Sequence, residues 1–354
     1  MKREFGTLPD GSQVHLLTLR SDEGLEAEVL TYGGILQSLR LEAGGEPVSL
    51  VLGLEDLPAY LADTVNLGRL VGRTSGRIAH GRYEHDGRTY RLSVNEGHHH
   101  LHGGSGGFGR RLWRVEEQDV DRARLACTLE DGEDGYPGRL EASVEFRLQG
   151  TTLHFDCTAR CDAPTPFDPT YHPYFNLGGD PAVPAAEHWL RVPADRYLPV
   201  DAELIPLGEI ARVDGTPFDF RQPVAPTRNT DLAHPQIRMG KGYDHCLVLA
   251  DAADCSAELY SPHSGVAMRV SSDAPALVFY EGQILDAHHP RLGRGVCLEP
   301  QGFPDAPNRP GFPDAILRPG RKYARRIAYR FARVAPGSAW EDAMAALTEG
   351  FAQK

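Results

Sequence analysis

What this chain lacks narrows it first. No stretch approaches the run of about 18 apolar residues that a membrane-crossing helix needs, so no membrane span is expected. The opening MKREFGTLPDG has two early basic residues but no apolar segment behind them, and no secretory signal is expected there. Positive charge is in deficit: 37 Lys and Arg stand against 49 Asp and Glu, a formal net charge of -12. Nucleic acid and anionic membranes want a concentrated basic face, so neither is an expected partner, and a neutral or weakly charged small molecule suits the balance better. Cysteines number six (Cys127, Cys157, Cys161, Cys246, Cys255, Cys297), none in a CxxC pair. That is the usage of buried free thiols in a reducing compartment, and the expected location is the cytoplasm.

Helix signals are also few. One short helix is expected near LEDLPAYLAD and one in SAWEDAMAALTEGF, where Ser338 is placed to cap and Asp342 falls in the first turns. Short strands with turn punctuation fill most of the remainder. In EASVEFRLQGTTLHFDCTAR, Val144, Phe146 and Leu148 alternate, a turn falls near Gln149-Gly150, and Leu153, Phe155, Cys157 and Ala159 alternate again: a hairpin. RYEHDGRTYRLSV repeats the pattern around Asp86-Gly87, a dipeptide that tolerates the positive φ of tight hairpin turns. SQVHLLTLR, LEAEVLTY, ILQSLRL, HCLVLA, CSAELYS, GVAMRVSS and ALVFYEG read as further strands. Many antiparallel strands with almost no strand–helix alternation predict an all-β fold, a large antiparallel β-sandwich with a few short helices. No Gly/Ser-rich or charged linker divides the sequence, so residues 1–354 are expected to form one domain.

Against that background several polar stretches stand out. LEPQGFPDAPNRPGFP places a carboxylate, Glu299, directly after the apolar Val296, Cys297 and Leu298, and Pro300 restricts it to extended geometry. A fixed carboxylate at the mouth of a strand is a candidate acid or base. VGRTSGRIAHG sets Arg73 and Arg77 among small residues that let a ligand approach; taken alone, they read as two arginines on a surface loop. NEGHHHLHGGSGGFGRRLW carries His98, His99, His100 and His102. Alternate histidines on an extended segment fan out about 7 Å apart, awkward for one tetrahedral ion, so no metal is expected. PFDPTYHPYFNL frames His172 with Tyr171, Pro173, Tyr174 and Phe175, and GKGYDHCLVL puts Asp244 at the start of a strand. A core histidine and a turn aspartate are the bland alternatives, yet aromatic rings beside polar groups also suit a sugar.

The order of these stretches is more specific than any one of them. GRTSGRIAHG, HHLHGGSGGFGRRLW, TYHPYFNL, YLPVDAELIPLGEIARVDGTPFDFR, GYDH and CLEPQGFPDAPNRPGFPDAILRPGRKY together resemble the aldose 1-epimerase (galactose mutarotase) family, from near FGTLPDGSQVHLLTLR to near RIAYRF. The resemblance implies a sugar in an open cleft of a β-sandwich, with neither a metal nor an organic cofactor. Carried over residue by residue, it marks Glu299, His172 and His102 as catalytic and Arg77 and Asp244 as sugar-binding. Three positions depart from the family pattern: Gly76 replaces an asparagine, Val278 stands where a glutamine is expected, and TNHS becomes TYHP at Tyr171. All three are expected where sugar hydroxyls are read, which bears on which aldose is preferred.

The implied reaction interconverts α and β anomers of a free aldose such as galactose or glucose by opening the ring and reclosing it. One group takes the C1 hydroxyl proton, another protonates the ring oxygen, and the roles swap on closure. Glu299 is the expected base and His172 the expected acid, with a pKa near neutrality between aromatic neighbours and nearby carboxylates. His102 is expected to hydrogen-bond near the same oxygen and steady developing charge. The expected assembly is a monomer or weak homodimer with a monosaccharide as its partner. Two alternatives stay open: a hexose-6-phosphate 1-epimerase using Arg73, Arg110 and Arg111 for the dianion, and a carbohydrate-binding β-sandwich without catalysis.

Overall fold

A computed structural model describes residues 1–42 and 46–348. Every strand pair in the named sheets is antiparallel. Both hairpins form where turn chemistry places them. Leu140–Gln149 pairs with Thr152–Cys161 in unbroken register, Phe146 opposite Phe155, and the Arg82–His85 and Arg88–Arg91 strands close through Asp86 and Gly87 at φ of 50° and 71°. Alternation decides burial in the long hairpin: Val144, Phe146, Leu148, Leu153, Phe155, Cys157 and Ala159 all face inward.

These strands sit in an eight-stranded sheet ordered Trp189–Arg191, Ala257–Ser261, Val266–Ser272, Tyr323–Arg333, Thr152–Cys161, Leu140–Gln149, Arg122–Leu129, Arg114–Gln118. An N-terminal sheet runs from Lys2–Thr7 to Val48–Ser49. A third sheet is ordered Ala211–Arg212, Ala194–Tyr197, Asp244–Leu249, Ala276–Tyr280, Cys297–Gln301. The largest hydrophobic cluster draws on all three, from Leu17 to Phe331. The β-sandwich expectation is met.

Helices are short. Leu57–Ala62 starts where expected, with the Asp56 side chain accepting the Ala59 N–H at 2.9 Å. Trp340–Thr348 buries Trp340, Ala343 and Leu347. Ser338 does not cap it: its hydroxyl donates to the Ala335 carbonyl at 2.7 Å, so the side chain closes the preceding turn instead. Residues 349–351 of that expected helix lie outside the described residues. Pro226–Asn229, Pro235–Gly240 and Leu285–His288 add helical turns too short for a periodic pattern to register. Among the described residues no helix is long and apolar enough to cross a membrane.

Candidate active site

The strand Cys297–Gln301 reads CLEPQ, and its period of two turns Leu298 into the main core while Cys297, Glu299 and Gln301 share the other face. Register extends that face across two neighbours. Glu299 lies opposite Val278, which lies opposite Cys246; Cys297 lies opposite Tyr280, which lies opposite Asp244. Of these two rows Glu299, Val278, Cys246, Tyr280 and Asp244 line one cavity of about 260 Å³, while Cys297 stays buried behind them. Pro300 sits on the outermost strand of this sheet, where a missing N–H costs little, and its carbonyl accepts the Thr170 hydroxyl at 2.8 Å.

That bond ties Glu299 to the short strand Thr170–His172 and brings His172 to it. His172 Nε2 lies 3.6 Å from Glu299 Oε1, both side chains being at most 6% exposed. The other ring nitrogen, Nδ1, lies 3.4 Å from Cys297 Sγ. His102 enters from a loop and packs edge-on against His172, ring centroids 5.6 Å apart at 89°. Its backbone has φ of 55°, and Gly103 and Gly104 follow at 81° and 88°. A Cβ on Gly103 would stand 1.8 Å from the Gly72 carbonyl oxygen, so the glycine of LHGG is a condition for placing His102.

Arg77 borders the same cavity. Its Nε and Nη2 donate to the two Glu96 carboxylate oxygens at 3.1 and 2.8 Å, and Nη1 lies 3.9 Å from Asp244 Oδ2. All five residues singled out by resemblance therefore line one cavity. The sequence reading missed Glu96, Tyr280 and Gln301 on the cavity wall and Cys297 behind it. Glu96 stood in the quoted histidine stretch, where only the histidines were weighed. Cys297 and Gln301 were readable from the alternation around Glu299.

Burial governs the electrostatics. Removal from water, with the Asp244 charge adding to it, pushes the Glu299 carboxyl well above the usual carboxylate range. Burial pushes His172 down to about 4, only partly opposed by a backbone hydrogen bond and Asp63. The expected near-neutral His172 is therefore corrected: burial outweighs what the nearby carboxylates add. Burial and then His172 hold His102 well below its ordinary range. Its Nδ1 faces the Ser75 carbonyl, which can only accept, so Nδ1 carries the hydrogen and Nε2 keeps its lone pair. A neutral ring with a free Nε2 lone pair is suited to accept a hydrogen bond from a hydroxyl and not to donate one to an oxyanion. Burial opposes the Arg77 charge, but Asp244 and Glu96 outweigh it and raise its pKa.

Other expectations resolve differently. Tyr171 does not line the cavity: alternation in its strand turns it into the core, stacked on Phe155 at 4.8 Å. Gly76 and Val278 do line it, and Gly76 packs where a Cβ would come 2.6 Å from Pro304 Cβ. Arg73 is fully buried and donates to the Pro137 and Glu130 carbonyls and Thr165 Oγ1. Arg110 donates to the Asp63 carbonyl and Arg111 pairs with Glu133, so none of the three lines the cavity. His100 is occupied by Ser93 and Tyr136 at 2.7 Å each, and His99 Nδ1 accepts the His80 N–H.

The chain is similar to known proteins over most of its length. The family model described as aldose 1-epimerase matches residues 15–330. A galactose mutarotase from Bos taurus is 36% identical over 341 residues, covering 92% of this chain and 97% of the relative. An aldose 1-epimerase from Escherichia coli is 36% identical, covering 91% and 96%. Among solved structures, a galactose 1-epimerase from Lactobacillus acidophilus superposes with a TM-score of 0.82 at 30% identity, covering 94% of this chain and 99% of that one. A C. elegans aldose epimerase homologue superposes with a TM-score of 0.83 at 29% identity, covering 90% and 99%. A sandwich whose third sheet presents a buried carboxylate to a buried imidazole, matched over nearly its whole length, places this chain in the aldose 1-epimerase family.

Proposed function

We propose that this enzyme interconverts the anomers of a free monosaccharide, with Glu299 and His172 as its acid–base pair. The observation that carries the reading is their approach to 3.6 Å on the floor of a cavity whose walls combine apolar side chains with Arg77, Asp244 and His102. At about 260 Å³ the cavity lies near the lower end of small-molecule sites, about 300–1,000 Å³, which suits one sugar ring. His102 Nε2 accepts a sugar hydroxyl, and Arg77 and Asp244 donate to and accept from others.

The pair needs one proton between its two members. In the cyclic sugar complex Glu299 is a carboxylate accepting the C1 hydroxyl and His172 is an imidazolium directed at the ring oxygen. Ring opening moves the C1 hydroxyl proton to Glu299 and the His172 proton to the ring oxygen, leaving a neutral acid and a neutral imidazole beside the open-chain aldehyde. Reclosure on the other face returns both protons. Burial favours the neutral pair, as the opposite pKa shifts of the two groups record. The charge-separated form is thus relieved by ring opening.

The phosphorylated-sugar reading finds little support. Among the described residues lining the cavity, Arg77 is the one Lys or Arg, and Glu96 and Asp244 already engage it, a poor reception for a dianion. Polarimetry on freshly dissolved α-D-glucose, α-D-galactose, a pentose panel and glucose 6-phosphate tests the assignment. Acceleration with at least one free sugar is expected. A strong preference for the phosphate overturns the free-sugar reading, and no acceleration with any of them favours a binder.

A further inference from the structure

Cys297 has no part in the proton transfers, yet it faces the pair. One donor atom each from His172, Cys297 and Glu299 lie within 4.8 Å of one another. The shortest approaches are 3.4 Å from sulfur to Nδ1 and 3.6 Å from Nε2 to carboxylate oxygen. A tetrahedral zinc ion bound at about 2.3 Å to sulfur and about 2.0–2.2 Å to nitrogen and oxygen sets adjacent ligand atoms about 3.4–3.6 Å apart. The ion takes only one ring nitrogen, so Cys297 or Glu299 closes the remaining gap by side-chain rotation. All three residues are buried, which holds the donors near one point; His172 and Glu299 line the cavity and leave the fourth position to water, while Cys297 stands behind them.

The surroundings favour a cation. Glu96 and Asp244 line the cavity beside Glu299, and the one guanidinium there, Arg77, is engaged by both of them. A second cluster, Asp254, Cys255 and Glu258, looks similar on paper. There Arg191 holds Asp254 at 3.1 Å and Glu258 at 2.9 Å, and Arg269 holds Glu258 at 2.6 Å, so its negative charge is already spent. The two clusters thus form a natural test and control.

We propose that His172, Cys297 and Glu299 bind a single thiophilic divalent cation of the zinc class, and that the occupied site excludes sugar and stops turnover. Binding is coordination without redox change; protons on the thiol and carboxyl pass to buffer. The inhibitory half rests on the acid–base reading above, whereas the cation site does not.

Titrating the metal-stripped full chain with Co²⁺ reads the site directly, through the thiolate-to-cobalt charge-transfer band in the near ultraviolet. In parallel, Zn²⁺ is added to polarimetric assays at several sugar concentrations. The expected result is a band saturating at one equivalent, retained in Cys255→Ser and lost in Cys297→Ser. Zn²⁺ inhibition should compete with sugar, reverse with chelator, and need at least ~10–100-fold more zinc in Cys297→Ser. Cys297→Ala replaces the serine variant if circular dichroism shows that one unfolded. Absence of the band, or its survival in both Cys297 variants, overturns the cation site. A one-equivalent band that depends on Cys297, with sugar turnover unchanged, leaves the site standing and refutes the pair as the catalytic groups.

Discussion

Replacing Glu299 by glutamine keeps the side chain's shape and removes only its ability to take and return a proton. The structure sets what else changes. Glu299 is 3% exposed, and burial with the Asp244 charge raises its pKa well above the usual carboxylate range, which disfavours its charged form. No buried ion pair is broken, so the roughly 3–5 kcal/mol penalty of stranding a buried charge does not arise. The folding cost should stay within about 1 kcal/mol, the scale of one altered hydrogen bond. The cost in rate is that of a positioned acid–base group, ~10²–10⁴-fold, which corresponds to about 2.7–5.4 kcal/mol of barrier. Polarimetry of α-D-galactose or α-D-glucose equilibration measures the first quantity and a urea midpoint the second. The pH profile adds a signature. With one shared proton, the wild-type acid limb marks a second proton joining the pair, near the His172 value of about 4. The alkaline limb marks loss of the shared proton through the raised Glu299 value. Residual activity of Glu299→Gln should therefore lose the alkaline limb. Turnover within tenfold of wild type sinks the assignment of the base, and a folding loss of about 3 kcal/mol or more refutes the neutral carboxyl.

Further expectations follow the same geometry. His172→Asn should depress kcat strongly with a smaller change in KM, whereas His102→Asn should disturb both, since its acceptor bond already exists with bound sugar; the reverse pattern exchanges the two roles. Gly76→Ala forces a Cβ to within 2.6 Å of Pro304 Cβ, so it should cost about 1–3 kcal/mol of stability and raise KM; an unmoved melting temperature and KM refute the close packing. His245 has its pKa pushed by burial from 6.5 to about 3, with Nδ1 accepting the Asp244 N–H at 3.1 Å. The unfolded chain takes a proton there below 6.5 and the folded chain does not until about 3, so this histidine lowers stability as pH falls through that window. Wild type should lose stability more steeply than His245→Asn by up to about 1.4 kcal/mol per pH unit, and equal slopes in urea titrations between pH 6.5 and 4 refute it.

The strands were legible because half-buried strands alternate. Val144 to Leu148 and Leu153 to Ala159 carry their facing in the sequence, and Asp86-Gly87 carries its turn. The same alternation puts Glu299 and Gln301 on one face, so part of the cavity floor was readable before any fold was known. The rest was not, because it depends on contacts across long separations. Arg77 and Glu96 are 19 residues apart, and His172 and Cys297 are 125 apart. Tyr171 shows the hazard: its neighbours in sequence belong to the site, but a period of two sends it into the core while His172 enters the cavity. The depth of the pair was hidden too. Aromatic neighbours and carboxylates suggested a balanced imidazole, whereas desolvation takes His172 down to about 4 and raises Glu299.

That depth separates an epimerase from a sugar-binding module. A binder gains from donors and acceptors that are already in the form the hydroxyls need, and Arg77, Asp244 and His102 meet that description. It gains nothing from a carboxyl and an imidazole at 3.6 Å whose pKa values burial has moved in opposite directions. Such a pair disfavours its own charged form and is strained until a proton moves. Anomer exchange needs that property, because each turnover must run the transfer once in each direction and return the site to its starting state. A group permanently committed as acid or as base would stop at the open-chain aldehyde. A pair sharing one proton, poised toward neutrality by burial, lets reclosure follow opening from the same two atoms.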